Sequence, residues 1–127
     1  MQPVFLTLAD AVRIHVDQIE RSGGRTGIRD IGILQPALAM PEASFGGEWM
    51  HRDPYEMAAA YAFHISQDQP FVDGNKRTGL ACALVFLELN GVSLSDPAGR
   101  LYQAMMDVAV GDADKWALAD TFRALRA

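Results

Sequence analysis

The chain has 127 residues, half of them apolar, and a formal net charge of −5, which suits one domain with a buried core and excludes a long disordered tail. The acidic balance also excludes a general DNA or RNA binder, because phosphate neutralisation needs a surplus of Lys and Arg. There is no basic-then-apolar signal pattern and no apolar run of spanning length, so the expectation is a cytoplasmic protein without a membrane segment.

In chain order, Thr7 and Asp10 have capping-box spacing, and Val12, Val16 and Ile19 recur with helical period up to Gly23-Gly24. This predicts a first helix over about residues 8 to 21, with His15 near its apolar stripe as a packing histidine. Asp30 can cap a second helix over Ile31 to Met40 with Ile31, Leu34 and Leu38 inward, although Pro36 removes one donor inside it and Pro41 ends it. Residues Pro41 to Arg52 have no period and read from composition as a surface loop whose aromatics fold back on the core.

Asp53-Pro54-Tyr55-Glu56 combines an acidic cap, proline at the first helical position and a glutamate at capping-box spacing. It opens a third helix from Pro54 to about Ser66, whose Ala58-Ala59-Ala60 face allows close helix approach. A fourth helix from about Asn75 to Asn90 is apolar on nearly every face, so it is expected to be buried all round. Cys82, the single cysteine, lies inside it as a small hydrophobe of a reducing compartment, and leaves no disulfide or cysteine-based zinc site. Ser95-Asp96-Pro97 opens a fifth helix with Leu101, Met105 and Val108 inward, Met105 and Met106 being core filler. Asp112 or Asp114 opens a sixth, with Trp116, Ala119, Phe122 and Leu125 on one stripe. The fold class is all-α, a compact bundle of about six helices in a single domain over residues 1–127.

The chemistry concentrates in Gln69-Pro70-Phe71-Val72-Asp73-Gly74-Asn75-Lys76-Arg77-Thr78-Gly79, just ahead of the fourth helix. Free N–H groups at a helix N-terminus, with the positive dipole end behind them, attract anions. Gly74 lets the backbone approach a phosphate, Lys76 and Arg77 add formal charge, and Asp73 can hold a divalent metal bridging phosphate oxygens. The pattern points to a nucleotide or another phosphate ester.

The same stretch resembles the signature of the Fic/Doc family, His-Pro-Phe-x-(Asp/Glu)-Gly-Asn-(Gly/Lys)-Arg, and Lys76-Arg77-Thr78 is closest to its Doc (death-on-curing) toxin branch. The similarity extends over nearly the whole chain, through Phe5-Leu6-Thr7, His15, Gly23-Gly24, Gly27-Ile28-Arg29-Asp30, Ala43 to Gly47 and the Ala58-Ala59-Ala60 helix. It implies a Fic-like bundle with a short flap or β-hairpin between helices two and three, lying beside the active site and aligning the target by backbone pairing. It implies ATP as nucleotide and Mg²⁺ on Asp73, with Asn75 positioning a phosphate or the loop. Gly74, Asn75, Lys76 and Arg77 would then line the anion cradle, and Phe71 would be a buried anchor.

In the family, the motif histidine takes a proton from a target hydroxyl that attacks a nucleotide phosphate. Most Fic relatives transfer AMP, whereas Doc-type toxins transfer the terminal phosphate to elongation factor Tu. Adenylylating members carry a second arginine three residues after the first, where this chain has Leu80, so the resemblance moves the reading toward the phosphotransferase, with a Fic-type AMP transferase as the alternative. Gln69 stands at the histidine position. A carboxamide does not take up a proton near neutral pH, and losing a general base typically costs about 10²–10⁴-fold in rate. Gln69 is compatible with an introduced disarming substitution, with a weakened or non-catalytic binding module, or with rescue by another group such as His64. No (Ser/Thr)-x-x-x-Glu-(Gly/Asn) inhibitory helix occurs in the chain, so inhibition would come from a separate antitoxin inserting near the nucleotide site.

Overall fold

Thr7 and Asp10 start the first helix by a reciprocal cap. The Thr7 hydroxyl accepts the Asp10 N–H and the Asp10 carboxylate accepts the Thr7 N–H, which satisfies two donors of the first turn. The computed structural model describes residues 2–127. Its helices are α1 (Leu8–Ser22), α2 (Ile31–Ala39), α3 (Pro54–Asp68), α4 (Asn75–Leu89), α5 (Arg100–Ala109) and α6 (Lys115–Ala124). A 3₁₀ turn at Met40–Glu42 and the strands β1 (Ser44–Phe45) and β2 (Glu48–Trp49) separate α2 from α3. The expected six-helix, all-α architecture with a short hairpin is therefore observed.

α3 occupies the centre, packed against α4, α6 and α2. Asp53 caps it through the Glu56 N–H, Pro54 sits in its first turn, and residues Met57 to Ala62 are wholly buried. This corrects the expectation that α4 is the helix buried all round. The face of α4 formed by Thr78, Gly79, Cys82, Ala83, Phe86 and Leu87 is buried, but Lys76, Glu88 and Leu89 are exposed. The two helices approach closely because small residues meet: a Cβ on Gly79 would lie 2.9 Å from the Ala62 carbonyl oxygen. Cys82 is buried, and burial pushes its thiol up to about 12, so it packs as an inert hydrophobe.

Several expected details shift for tertiary reasons. α2 runs through Pro36 and turns its Leu34, Ala37 and Leu38 inward, whereas Ile31 is exposed. α5 begins at Arg100 rather than beside Ser95-Asp96-Pro97, because the Asp96 carboxylate reaches across a turn to accept the Arg100 and Leu101 N–H groups at 2.7 and 2.9 Å. Asp114 caps α6, and its inward stripe is Leu118, Ala119, Phe122 and Leu125. Trp116, expected on that stripe, is 43% exposed and stacks on His51 instead.

The hairpin pairs Ser44 with Trp49 and Phe45 with Glu48, and turns through Gly46 and Gly47, both with positive φ as a tight two-residue turn requires. Trp49 folds back edge-on against Phe5, but Phe45 is 87% exposed, so only one of its aromatics joins the core. Among the described residues no helix is long and apolar enough to cross a membrane.

Candidate functional site

The loop between α3 and α4 is held in shape from three directions. From behind, it pairs with the loop after α1: Ile28 bridges Phe71, the Val72 N–H donates to the Gly27 carbonyl, and the Arg29 and Asp30 N–H groups donate to the Pro70 carbonyl. From within, the Asn75 carboxamide closes on the Phe71 backbone. Its oxygen accepts the Phe71 N–H at 3.0 Å and its nitrogen donates to the Phe71 carbonyl at 3.1 Å. From below, Phe71 is buried and its ring stacks on His15 with centroids 4.0 Å apart.

His15 is neutral and fixed in one tautomer. Its Nε2 accepts the Gly27 N–H, so its Nδ1 carries the proton and donates to the Thr78 hydroxyl at 3.1 Å. Burial first, and then the charge of Arg77, lower its pKa, with Asp73 opposing. The expectation of a satisfied packing histidine thus holds.

The loop enters α4 through Gly74, whose φ of 70° is left-handed and whose position lacks a side-chain cap. The Thr78 N–H donates to the Gly74 carbonyl, but within the described residues no acceptor takes the N–H groups of Asn75, Lys76 and Arg77. These three donors open onto a cleft of about 550 Å³ lined by Ser66, Gln67, Gln69, Val72, Asp73, Gly74, Asn75, Lys76, Arg77 and Ala109. Every residue singled out in the sequence motif for catalysis or phosphate binding lines this one cleft. Arg77 is steadied by donating to the Gly23 carbonyl at 3.2 Å. The Asp73 carboxylate accepts the Gly74 N–H at 2.9 Å and the Arg25 N–H at 3.3 Å, which orients it at the cleft mouth.

Gln69 ends α3 and is the one non-glycine residue with positive φ (52°) among the described residues. Such a conformation costs about 1 kcal/mol or more, and it is sustained here by Arg29. The Arg29 guanidinium donates to the Gln69 carbonyl at 2.7 Å and the Asp68 carbonyl at 3.2 Å, capping the negative end of α3. Sequence reasoning gave Arg29 no role, since its partners lie about forty residues away and no local pattern marks it. Ser66, Gln67 and Ala109 were missed as cleft lining for the same reason.

The structure does not bring His64 to the site. Its Nε2 lies 3.2 Å from Lys115 Nζ on α6 and its ring is absent from the cleft lining, so the idea that it could replace a base at position 69 is corrected. None of the hairpin residues lines the cleft either. Among the described residues no group of three or more His, Cys, Asp or Glu is gathered to cage a metal. A lone, oriented carboxylate beside free amides suits a magnesium ion that arrives with its phosphates, since Mg²⁺ usually takes one or two carboxylates and completes its shell with substrate and water.

Comparison with known proteins agrees with this geometry. The model of the Fic/DOC family matches residues 5–87, which include the whole motif loop. The chain is 37% identical over 94 residues to Toxin Doc of Mycolicibacterium smegmatis (strain ATCC 700084 / mc(2)155), covering 72% of each chain. It is 32% identical over 116 residues to Protein kinase doc of Escherichia phage P1, covering 91% of this chain and 90% of that one. By its motif, its fold and the extent of these matches, the chain belongs to the Fic/DOC family.

Proposed function

We propose that the chain is a Doc-type toxin of a toxin–antitoxin system. It binds ATP with Mg²⁺ at the start of α4 and directs the terminal phosphate to a hydroxyl of a protein target, elongation factor Tu, with transfer weakened by Gln69. The observation that carries this reading is the set of three unengaged amides at Asn75, Lys76 and Arg77, which share a cleft with two cations and an oriented carboxylate. Its relatives' names, a Doc toxin and a protein kinase, support the same choice. Leu80 packs against the core where an adenylylating relative would place a second arginine, which favours phosphate over AMP transfer.

In this mechanism the amides of α4 and the side chains of Lys76 and Arg77 hold the polyphosphate and take up the charge that develops on it. Asp73 would hold Mg²⁺, which when bound neutralises phosphate charge. Asn75 acts on the loop: with both ends of its carboxamide spent on Phe71, it fixes the curvature that leaves the amides free. Gln69 lines the cleft where a base would stand, and can hydrogen-bond a target hydroxyl but not accept its proton. A separate antitoxin covering this cleft supplies the control, in the cytoplasm where the target resides.

A non-catalytic nucleotide- or partner-binding module is the second reading. It is favoured by one observation: none of the chain's three histidines lines the cleft. Incubation of the protein and its Gln69→His variant with elongation factor Tu and γ- or α-labelled ATP separates the readings. Transfer of the γ label restored by histidine supports the disarmed kinase. Transfer by neither protein supports the module, and transfer of the α label would make the chain an AMP transferase.

A further inference from the structure

Away from the cleft, where α3 meets the start of α6, one amine has unusual company. Lys115 is the first residue of α6, half-buried, with its Nζ 3.2 Å from His64 Nε2 and 5.1 Å from the centre of the Trp116 ring. Among the described residues no carboxylate lies within ion-pair distance of it. Asp114 beside it is engaged as the helix cap, accepting the Ala117 N–H. The positive end of the α6 dipole sits under the same amine and disfavours its charge.

Burial acts against protonation at all three groups here, and nearby carboxylates oppose it at the two histidines. Burial lowers the pKa of Lys115. Burial first, and then Lys115 itself, lower that of His64, with Asp68 opposing. On the hairpin side His51 is held down by burial first and then by any charge on Lys115 or His64, while Glu56 and the Met40 backbone oppose. A proton held by either member of the Lys115–His64 pair discourages one on the other, and the 3.2 Å contact places the amine beside a ring nitrogen that can take its proton.

We propose that Lys115 is a nucleophilic amine that takes an acyl group from small thioesters, with His64 as the proton acceptor. The Nζ lone pair attacks the thioester carbonyl carbon, the C–N bond forms and the C–S bond breaks. The amine proton passes to His64 Nε2 and on to the departing thiolate, which leaves as a thiol. The product is a neutral amide that removes the cation from the face of Trp116. Lys76, the chain's other lysine, is exposed on α4 and serves as an internal comparison.

The test is acetylation of the whole folded protein with S-acetyl-N-acetylcysteamine, a thioester with no phosphate that could settle at the motif cleft. Peptide mass spectrometry follows acetate on Lys115 and Lys76 over time. The expected result is several-fold faster acetylation at Lys115, a ratio that falls to near one in urea and drops in His64→Phe. Should that variant fail to fold, the pH profile of the native protein decides, because Lys115 must lose its advantage as His64 is protonated. A ratio at or below one in the folded protein, or one that neither loss nor protonation of His64 changes, overturns the proposal. Nucleotide binding plays no part in this outcome, so it stands or falls apart from the proposed function.

Discussion

His15 lies flat against Phe71, ring centroids 4.0 Å apart and planes 12° from parallel, so an imidazole of α1 carries the anchor of the loop that opens α4. Replacing it by alanine removes that support and leaves the buried Thr78 hydroxyl and the Gly27 N–H without their partner. We expect His15→Ala to lose about 2–4 kcal/mol in urea unfolding, from cavity and lost hydrogen bonds together.

Arg29 and Gln69 should prove energetically coupled. Arg29→Ala removes the two hydrogen bonds that hold the left-handed end of α3, with an expected cost of about 1–2 kcal/mol. In a Gln69→Gly background glycine adopts that conformation freely, so the cost of Arg29→Ala should fall by about 0.5–1 kcal/mol. Equal costs in both backgrounds would mean that Arg29 does not sustain the conformation of residue 69.

Gly79→Ala tests the α3–α4 approach. The substitution gains up to about 1 kcal/mol of helix propensity, yet its Cβ would meet the Ala62 carbonyl oxygen at 2.9 Å, and a backbone atom cannot swing away. The clash should win, with a net loss of about 1–3 kcal/mol by thermal or chemical unfolding.

These contacts show which parts of the molecule are legible in one sequence. Caps written within four residues, Thr7 with Asp10 and Asp53 with Glu56, were readable, as was the motif whose residues line the cleft. Asp96 was misplaced as an adjacent helix start because its reach across a turn depends on three-dimensional closure. Burial failed for α4 because apolar composition does not say which helix others surround. The alanines of α3 give it that place by letting neighbours come close. Ile31 and Trp116 satisfy the helical period but sit at helix starts, where the inward face runs out of neighbours. Arg29 lay beyond any local pattern, since it acts on carbonyls of another helix.

His51 should make the fold acid-sensitive. It is fully buried, the nearby Met40 carbonyl favours its charge, but neither ring nitrogen completes a hydrogen bond, and burial followed by the charge of Lys115 lowers its pKa to about 4. The unfolded imidazole takes up its proton near 6.5. Between those values the unfolded chain binds more protons, so stability is full above pH 6.5 and is lost as pH falls through the window toward 4. The loss is roughly 3 kcal/mol from this group. His15 and His64, also lowered, act in the same sense. Urea midpoints at pH 5 and pH 8 should differ less in His51→Leu than in the unsubstituted chain.

The central claim is that the three amides opening α4 receive a polyphosphate, and amide chemical shifts test it most directly. Titrating ¹⁵N-labelled protein with ATP and Mg²⁺ should shift the Gly74, Asn75, Lys76 and Arg77 resonances first and furthest, and Asp73→Ala should weaken the response to the magnesium complex. Resonances of that stretch that stay in place at saturating ATP and Mg²⁺, with or without Gln69→His, would contradict it.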